Sequence, residues 1–385
     1  MNEVRLGVIG CGGMARQHMK YFNTIPGLKF AAAADAFEGN LSLVTKEYGV
    51  QGFTDGHAMI ASGTIDAIMI CTPHYFHPEF SIAGFKRGLH VLTEKPAAVT
   101  ALAAEEVNIE HAKNPKLVYA AMFQLRDSAL WKRVKGLITN GDLGHITRIN
   151  WIVTNWFRSQ AYYDAGSWRA TWKGEGGGVL LNQCPHNLDL LCWLMGAPAR
   201  VQAHVALGKY HHIEVEDEVT SYLQWANGAT GVFITSTGEA PGTDRLEITG
   251  DRGKAIVEGG KISLTQTGVS VAEFCKTTDE AFGQPGTDRI TIEVGQADPG
   301  HRAVTANFIE AILKPGTPLI CSGEDALHEL ELGNAMLMSG ITKQPIDIPM
   351  DRRAYDKLLK DLIANSTFQK GAVRAAKVDL AKSFH

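Results

Sequence analysis

The sequence predicts a two-part chain, an α/β doubly wound parallel sheet followed by an α+β part built on a mostly antiparallel sheet. Three observations predict it. Short, continuously apolar runs alternate with amphipathic stretches as far as residue 125, the pattern of parallel strands covered by helices on both faces. Beyond that point strand-like runs follow one another quickly, several joined by Gly-rich turns such as Asn227-Gly228 and Gly259-Gly260. A glycine-rich turn, Gly10-Cys11-Gly12-Gly13-Met14-Ala15, stands directly after the first apolar run.

Element by element, Val4–Ile9 reads as a strand and Gly13–Phe22 as a helix. Lys29–Ala34 is the next strand and Asn40–Tyr48 the next helix. Asp66–Cys71 is a strand, and Pro78–Arg87 a helix that opens on proline, whose fixed φ suits a first turn. His90–Thr93, Ala101–Ala112 and Leu117–Met122 continue as strand, helix, strand. The second part opens on a helix, Ser128–Thr139, stopped by Asn140-Gly141. Strands are then expected at Ile146–Val153, Ala199–Leu207, Val219–Trp225, Thr230–Ser236, Arg245–Thr249, Lys254–Val257, Lys261–Thr265 and Arg289–Val294. Helices are expected at Asn187–Leu194, Val304–Leu313 and Gly323–Gly340. The expected domains are 1–125, 126–350, and a C-terminal helix and tail over 351–385.

Bulk properties exclude several classes. A chain of 385 residues is long enough for two domains. Its 45% hydrophobic and 20% charged residues are the balance of a soluble globular protein. A net charge of −4 without a basic stripe argues against nucleic acid as a partner. No apolar run reaches the roughly 18 residues of a membrane span. The first strand begins at Val4, so no secretory leader is expected. Cys11, Cys71, Cys184, Cys192, Cys275 and Cys321 form no C-x-x-C pair. They read as free thiols of a reducing cytoplasm, and no metal site is expected.

Gly10, Gly12 and Ala15 occupy the three small-residue positions of a dinucleotide-binding turn. The first allows a sharp turn, the second lets the backbone approach a pyrophosphate, and the third lets the helix pack on the strand. Gly13 and Met14 fall in the same turn. The second strand ends in an acid, Asp35, at the distance where a carboxylate meets the adenine ribose. A carboxylate there repels a 2′-phosphate, and neither Ala36 nor Phe37 offers a charge to greet one. The expected cofactor is therefore NAD, bound by a Rossmann domain.

Three further segments stand where chemistry is expected. Cys71-Thr72-Pro73-His74-Tyr75-Phe76-His77 and Thr93-Glu94-Lys95-Pro96 each follow a strand's carboxyl end, where such sheets bind ligands. By pattern alone Lys95 is also read as an ordinary surface lysine. Gly176-Gly177-Gly178 leads through Asn182 and Pro185 to His186 and Asp189, which are three apart and share a helix face. A lone histidine so placed is more often a structural residue.

In this order and spacing the segments resemble the glucose–fructose oxidoreductase/inositol dehydrogenase/rhizopine-catabolism (Gfo/Idh/MocA) family, from the N-terminus to about residue 350. The resemblance implies a Rossmann domain followed by an α+β domain with an open-faced, mostly antiparallel sheet, and a homodimer or homotetramer built through that sheet. It implies that Lys95 and His186 are catalytic. Cys71, Thr72, Pro73, His74, His77, Glu94 and Lys95 join Gly10, Gly12, Gly13, Met14, Ala15 and Asp35 as expected cofactor residues. Asn182 departs from the family, where Asp is common, and an amide there orients a substrate hydroxyl but moves no proton. His74 departs too, since Asn is common. It is left open between contact with nicotinamide or substrate and a cap on the following turn.

The implied reaction oxidises a secondary hydroxyl of a sugar, glycoside or cyclitol. The hydroxyl proton needs a base usable near neutral pH, and imidazole serves. The alkoxide needs a cationic donor, and an ammonium serves. His186 and Lys95 fit those roles, with the division between them open. The substrate is expected to meet Lys95, Trp156, Arg158, Tyr163, Trp168, Arg169, Trp172, Asn182, His186 and Asp189. Tyr162 and Lys173 lie in the same aromatic-rich stretch, which suits ring C–H faces and polar substituents. Core packing is the alternative for each of its residues. Two other functions stay open: an enzyme that holds NAD tightly and reuses it, epimerase- or glycosidase-like, and a dinucleotide-binding regulator without catalysis.

Overall fold

A computed structural model describes residues 2–295, 300–371 and 373. The chain forms two compact units, Met1–Ser128 with Asp298–Leu330, and Ala129–Ala297 with Glu331–His385. The first opens as β1 (Val4–Ile9), α1 (Gly13–Met19), β2 (Leu28–Ala34), α2 (Glu38–Tyr48), β3 (Gln51–Phe53) and α3 (Gly56–Ala61). It continues as β4 (Ala67–Ile70), α4 (His77–Lys86), β5 (His90–Thr93), α5 (Ala101–His111) and β6 (Tyr119–Ala121). Among the described residues its sheet has six strands in the order β3-β2-β1-β4-β5-β6, all parallel. The strands are apolar along their length because both faces are covered. Leu6 and Val8 pack with Ala15 and Met19 on one side. Ile68, Ile70 and Val91 pack with Phe85 and Val107 on the other. Strand order reverses between β1 and β4, so the turns that follow them open side by side at the carboxyl ends.

The second unit runs α6 (Ala129–Thr139), β7 (Ile146–Val153), α7 (Gln160–Asp164), α8 (Val179–Asn182) and α9 (Pro185–Met195). Then come β8 (Arg200–Leu207), β9 (Glu216–Gln224), β10 (Thr230–Ser236), β11 (Asp244–Gly250), β12 (Gly253–Glu258), β13 (Lys261–Thr267), α10 (Val271–Thr277) and β14 (Thr287–Glu293). The chain ends as α11 (Gly300–Leu313), α12 (Ala326–Thr342), β15 (Ile346–Asp347) and α13 (Arg352–Asn365). Among the described residues the second sheet has nine strands, ordered β14-β13-β12-β11-β7-β10-β9-β8-β15. All neighbours are antiparallel except β7 and β10. Ile149, Trp151 and Val153 of β7, Val219 and Leu223 of β9 and Phe233 of β10 are buried on one face, while Ile152 and Tyr222 are exposed on the other. This period-2 alternation makes the sheet open-faced.

The division of the chain differs from the one expected at residues 126–350. The segment carrying α11 belongs to the first unit because Val304, Phe308 and Ile309 lie in one apolar cluster with Val4, Leu6 and Val8. The helix α13 belongs with the second unit, where Tyr355 and Leu359 are buried. The short elements β3, α3, α7, α8, α10 and β15 had no expectation in the sequence, since each is too brief to show a period. Among the described residues no helix is long and apolar enough to cross a membrane.

Candidate active site

Each unit carries one group of the expected residues. In the first, Gly10 sits at φ +88°, and a Cβ there would lie 2.7 Å from the Cys71 carbonyl oxygen. Only glycine fits so close a crossing. The turn after β1 is thereby pressed against Cys71-Thr72-Pro73 after β4. Gly12 is different: a Cβ would meet nothing within 4 Å, so the space above its backbone is open. Ala15 is fully buried where α1 packs on the sheet. Gly13 is exposed and Met14 half-buried. Asp35 Oδ2 accepts from the Cys11 N–H at 2.7 Å and Oδ1 from the Phe37 N–H at 2.8 Å. Its half-buried carboxylate is thus held at the edge of the glycine turn. A tight turn, open space over Gly12 and a fixed acid at the end of β2 are the features a dinucleotide needs, so these residues fit NAD.

His74 begins a short 3₁₀ turn after Pro73 and is buried. His77 is fully buried, with Nδ1 and Nε2 each 2.7 Å from a carbonyl oxygen, of Pro96 and Thr72 respectively. Burial holds its pKa below the usual histidine range against the pull of those carbonyls. His77 therefore braces the loop after β4 to the loop after β5.

Glu94 stands at the start of the loop after β5 and is buried. Its carboxylate turns inward: Oε1 lies 2.6 Å from His18 Nε2, and Oε2 accepts from the Lys95 N–H at 3.1 Å. Burial raises the Glu94 pKa, but the His18 hydrogen bond and the charges of His18, His301 and Lys95 outweigh it and bring it down to about 2. His18 Nδ1 contacts the Tyr21 hydroxyl, which lies 3.2 Å from Thr305 Oγ1. His18 was missed by the sequence reading. Its signal was a polar residue on the inward face of α1. Lys95 follows at the end of β5, half-buried.

In the second unit, α9 starts on Pro185 and places His186 and Asp189, both buried, one turn apart. Trp156 Nε1 donates to Asn187 Oδ1 at 3.2 Å, tying the loop after β7 to that helix. Asn182 ends α8. Its Oδ1 accepts from the Tyr162 hydroxyl at 3.2 Å and from Gln183 Nε2 at 3.1 Å. The Arg158 and Arg169 guanidinium carbons lie 5.3 and 4.6 Å from the Tyr162 ring centroid. Arg158 also lies over Trp156 and Arg169 over Trp168. Trp156, Arg158, Tyr162, Trp168, Arg169 and Asn182 thus form one cationic, aromatic cluster.

Within the stretch 156–172, two expected substrate residues fall outside that cluster. Tyr163 is buried, and its hydroxyl donates to Thr237 Oγ1 at 2.9 Å, so it packs while its neighbour Tyr162 joins the arginines. Trp172 is buried and lines a groove with Glu214, Leu358 and Leu362. Lys173 is exposed. Two buried acids were not foreseen. Glu175 accepts from Asn182 Nδ2. Glu216 Oε1 accepts from the Gly178 and Leu180 N–H groups at 2.8 and 3.1 Å, and burial pushes its pKa up to about 7. A lone acid inside Gly174-Glu175-Gly176-Gly177-Gly178 was the available signal for the first.

Comparison with known proteins identifies the family of both parts of the chain. The family described as "Oxidoreductase family, NAD-binding Rossmann fold" matches residues 4–122, and the "GFO/IDH/MocA C-terminal domain" matches residues 131–256. The chain is 26% identical over 356 residues to the myo-inositol 2-dehydrogenase of Thermotoga maritima, covering 90% of this chain and 98% of that protein. It is 24% identical over 369 residues to the scyllo-inositol 2-dehydrogenase (NAD(+)) of Bacillus subtilis, covering 92% and 98%. Among solved structures it resembles the WlbA dehydrogenase of Bordetella pertussis in complex with NADH and UDP-GlcNAcA. That match has a TM-score of 0.76 and 27% identity, and covers 91% of this chain and all of that one.

Proposed function

Since the chain belongs to the Gfo/Idh/MocA family of NAD-binding oxidoreductases, we propose that it oxidises a secondary hydroxyl on the ring of a cyclitol, sugar or sugar derivative. The observation that carries the substrate class is the cluster around Tyr162. Aromatic faces suit the C–H faces of a saturated ring, and the guanidinium groups of Arg158 and Arg169 suit hydroxyl or carboxylate substituents. Inositol dehydrogenases among the relatives, and a solved relative bound to a nucleotide sugar acid, support the same class.

NAD, which Gly10, Gly12 and Asp35 would hold, would supply the acceptor for the hydride of the hydroxyl-bearing carbon. The remaining work falls to the chain. His186 takes the hydroxyl proton, and Lys95 stabilises the negative charge left on oxygen. Asn182 and Arg169 orient the ring through its other substituents. Asp35 selects NAD over NADP by meeting the ribose hydroxyls and repelling a 2′-phosphate. The active protein is a cytoplasmic homo-oligomer assembled through the open face of the second sheet.

The test is a screen of purified protein with NAD, and separately NADP, against inositols, aldoses, uronic acids and glycosides, read as absorbance of reduced cofactor. A rise with NAD and one ring class is expected. Absence of any rise, with NAD bound to the protein and substrate converted by mass, would replace this reading with one in which the cofactor is reused within each turnover.

A further inference from the structure

Asn182 stands at the heart of the Tyr162 cluster yet carries no charge. The charge lies directly behind it. Glu175 is only 2% exposed. Its Oε1 accepts from Asn182 Nδ2, and its Oε2 accepts from the Ala170 N–H at 2.6 Å. Ala170 has φ +54°, a left-handed conformation unfavourable for a residue with a Cβ. The Glu175 carboxylate therefore holds a strained turn whose preceding residues are Trp168 and Arg169. Arg169 Nη1 lies 3.9 Å from Glu175 Oε1 and donates to the Tyr162 hydroxyl at 2.7 Å. Tyr162 then donates to Asn182 Oδ1. The amide gives one N–H to Glu175 and accepts at its oxygen from Tyr162 and Gln183, which gives it one orientation.

We propose that Glu175 is a positioning residue of the substrate half-site, holding the Asn182 amide and the Arg169 turn in one arrangement and supplying the negative charge that Asn182 lacks. Arg169, Lys370, Tyr162, Tyr163 and Glu216 face it from the surrounding elements. Burial lifts the Glu175 pKa above the usual carboxylate range, while Arg169, the Ala170 and Asn182 hydrogen bonds and Lys370 pull it back.

The arrangement makes Asn182 and Glu175 interdependent. Restoring an acid by Asn182→Asp would set two buried carboxylates against each other, and one of them would be forced to stay protonated. Changing Glu175→Gln alone leaves a side chain that can satisfy either Asn182 Nδ2 or the Ala170 N–H with its single carbonyl, but not both well. The double variant satisfies both: the new amide oxygen takes the Ala170 N–H, and its nitrogen donates to the new carboxylate.

The experiment compares wild type, N182D, E175Q and N182D/E175Q by thermal unfolding without ligand across a pH series. It also compares kcat/KM with NAD and the most active compound of the substrate panel. The activity arm rests on the dehydrogenase reading, whereas the unfolding arm does not, so failure of one is distinguishable from failure of the other. For N182D a lower melting temperature is expected, with a deficit that widens as pH rises through the raised carboxyl pKa. Its kcat/KM should fall roughly tenfold below wild type near neutral pH, and the ratio of variant to wild type at the same pH should return toward one on acidification. The double variant should return to within about threefold of wild type, better than either single change, because neighbouring groups are not additive. An N182D protein as stable and active as wild type, or a double variant no better than N182D, overturns the proposal. If the panel yields no substrate, the unfolding series decides alone.

Discussion

Lys95 follows β5 directly, and its own N–H is held by the Glu94 carboxylate. An ammonium carried at that strand end is the kind of cationic donor that meets charge developing on a substrate oxygen. Replacing Lys95 with Ala removes that donor but leaves Gly10, Gly12 and Asp35 as they are. Turnover should fall by about a hundredfold or more, while the NADH dissociation constant, read by fluorescence titration, changes little. Unchanged turnover would remove Lys95 from the chemistry. Loss of NADH binding would make it a cofactor anchor instead. At this scale the sequence was informative where a residue type is forced by geometry: Gly10 was legible because only glycine tolerates the approach of Cys71. It was less informative where two neighbours share a chemistry. Nothing in Tyr162-Tyr163 reveals which phenol turns to the arginines and which to Thr237, since both partners lie elsewhere in the chain.

At the scale of elements, α1 and the end of β5 are joined by the His18–Glu94 contact, so the helix after the glycine turn is coupled to the loop that bears Lys95. The strands and helices of the first unit were legible because burial on both faces imposes continuous apolar runs. The contact was not, because seventy-six residues separate its partners and no local pattern records a long-range pair. It has a measurable consequence. A carboxylate whose pKa is depressed to about 2 contributes stability that is fully present above its unfolded value near 4.5 and is lost as pH falls between the two. Glu94→Gln should therefore lower the melting temperature at neutral pH, and the gap to wild type should narrow steadily on acidification below about pH 4.5. A gap independent of pH would show that the variant acts through packing and not through the charge. The return of α11 to the first unit was hidden for a similar reason. Its Val304–Phe308–Ile309 stripe predicts an amphipathic helix, but not the core that receives it.

For the molecule as a whole, the open face of the second sheet is the feature that the helices leave without a cover among the described residues. The register places Val232 opposite Tyr222 and Ile234 opposite Ile152, so these four side chains share the outward face at the centre of the sheet. Ile152 and Tyr222 are 36% and 45% exposed. The flanks are charged instead, with Arg245 paired to Glu247 and Glu258 on β11 and β12. An apolar centre with a charged rim is the composition of a protein interface, and a chain that exposes it tends to cover it with a symmetric copy of itself. Sedimentation at micromolar concentration should show a dimer or tetramer. Tyr222→Glu combined with Ile234→Glu places carboxylates where the copies would meet, and should yield a monomer with an unchanged circular dichroism spectrum, since both side chains point away from the core. A wild-type monomer, or an oligomer indifferent to the double change, would mean that this face serves another purpose. Whether the monomer still turns over substrate then separates two contributions of assembly: if it does, the sheet face supports stability alone, and if it does not, the arrangement of the Tyr162 cluster depends on the sheet being braced from outside.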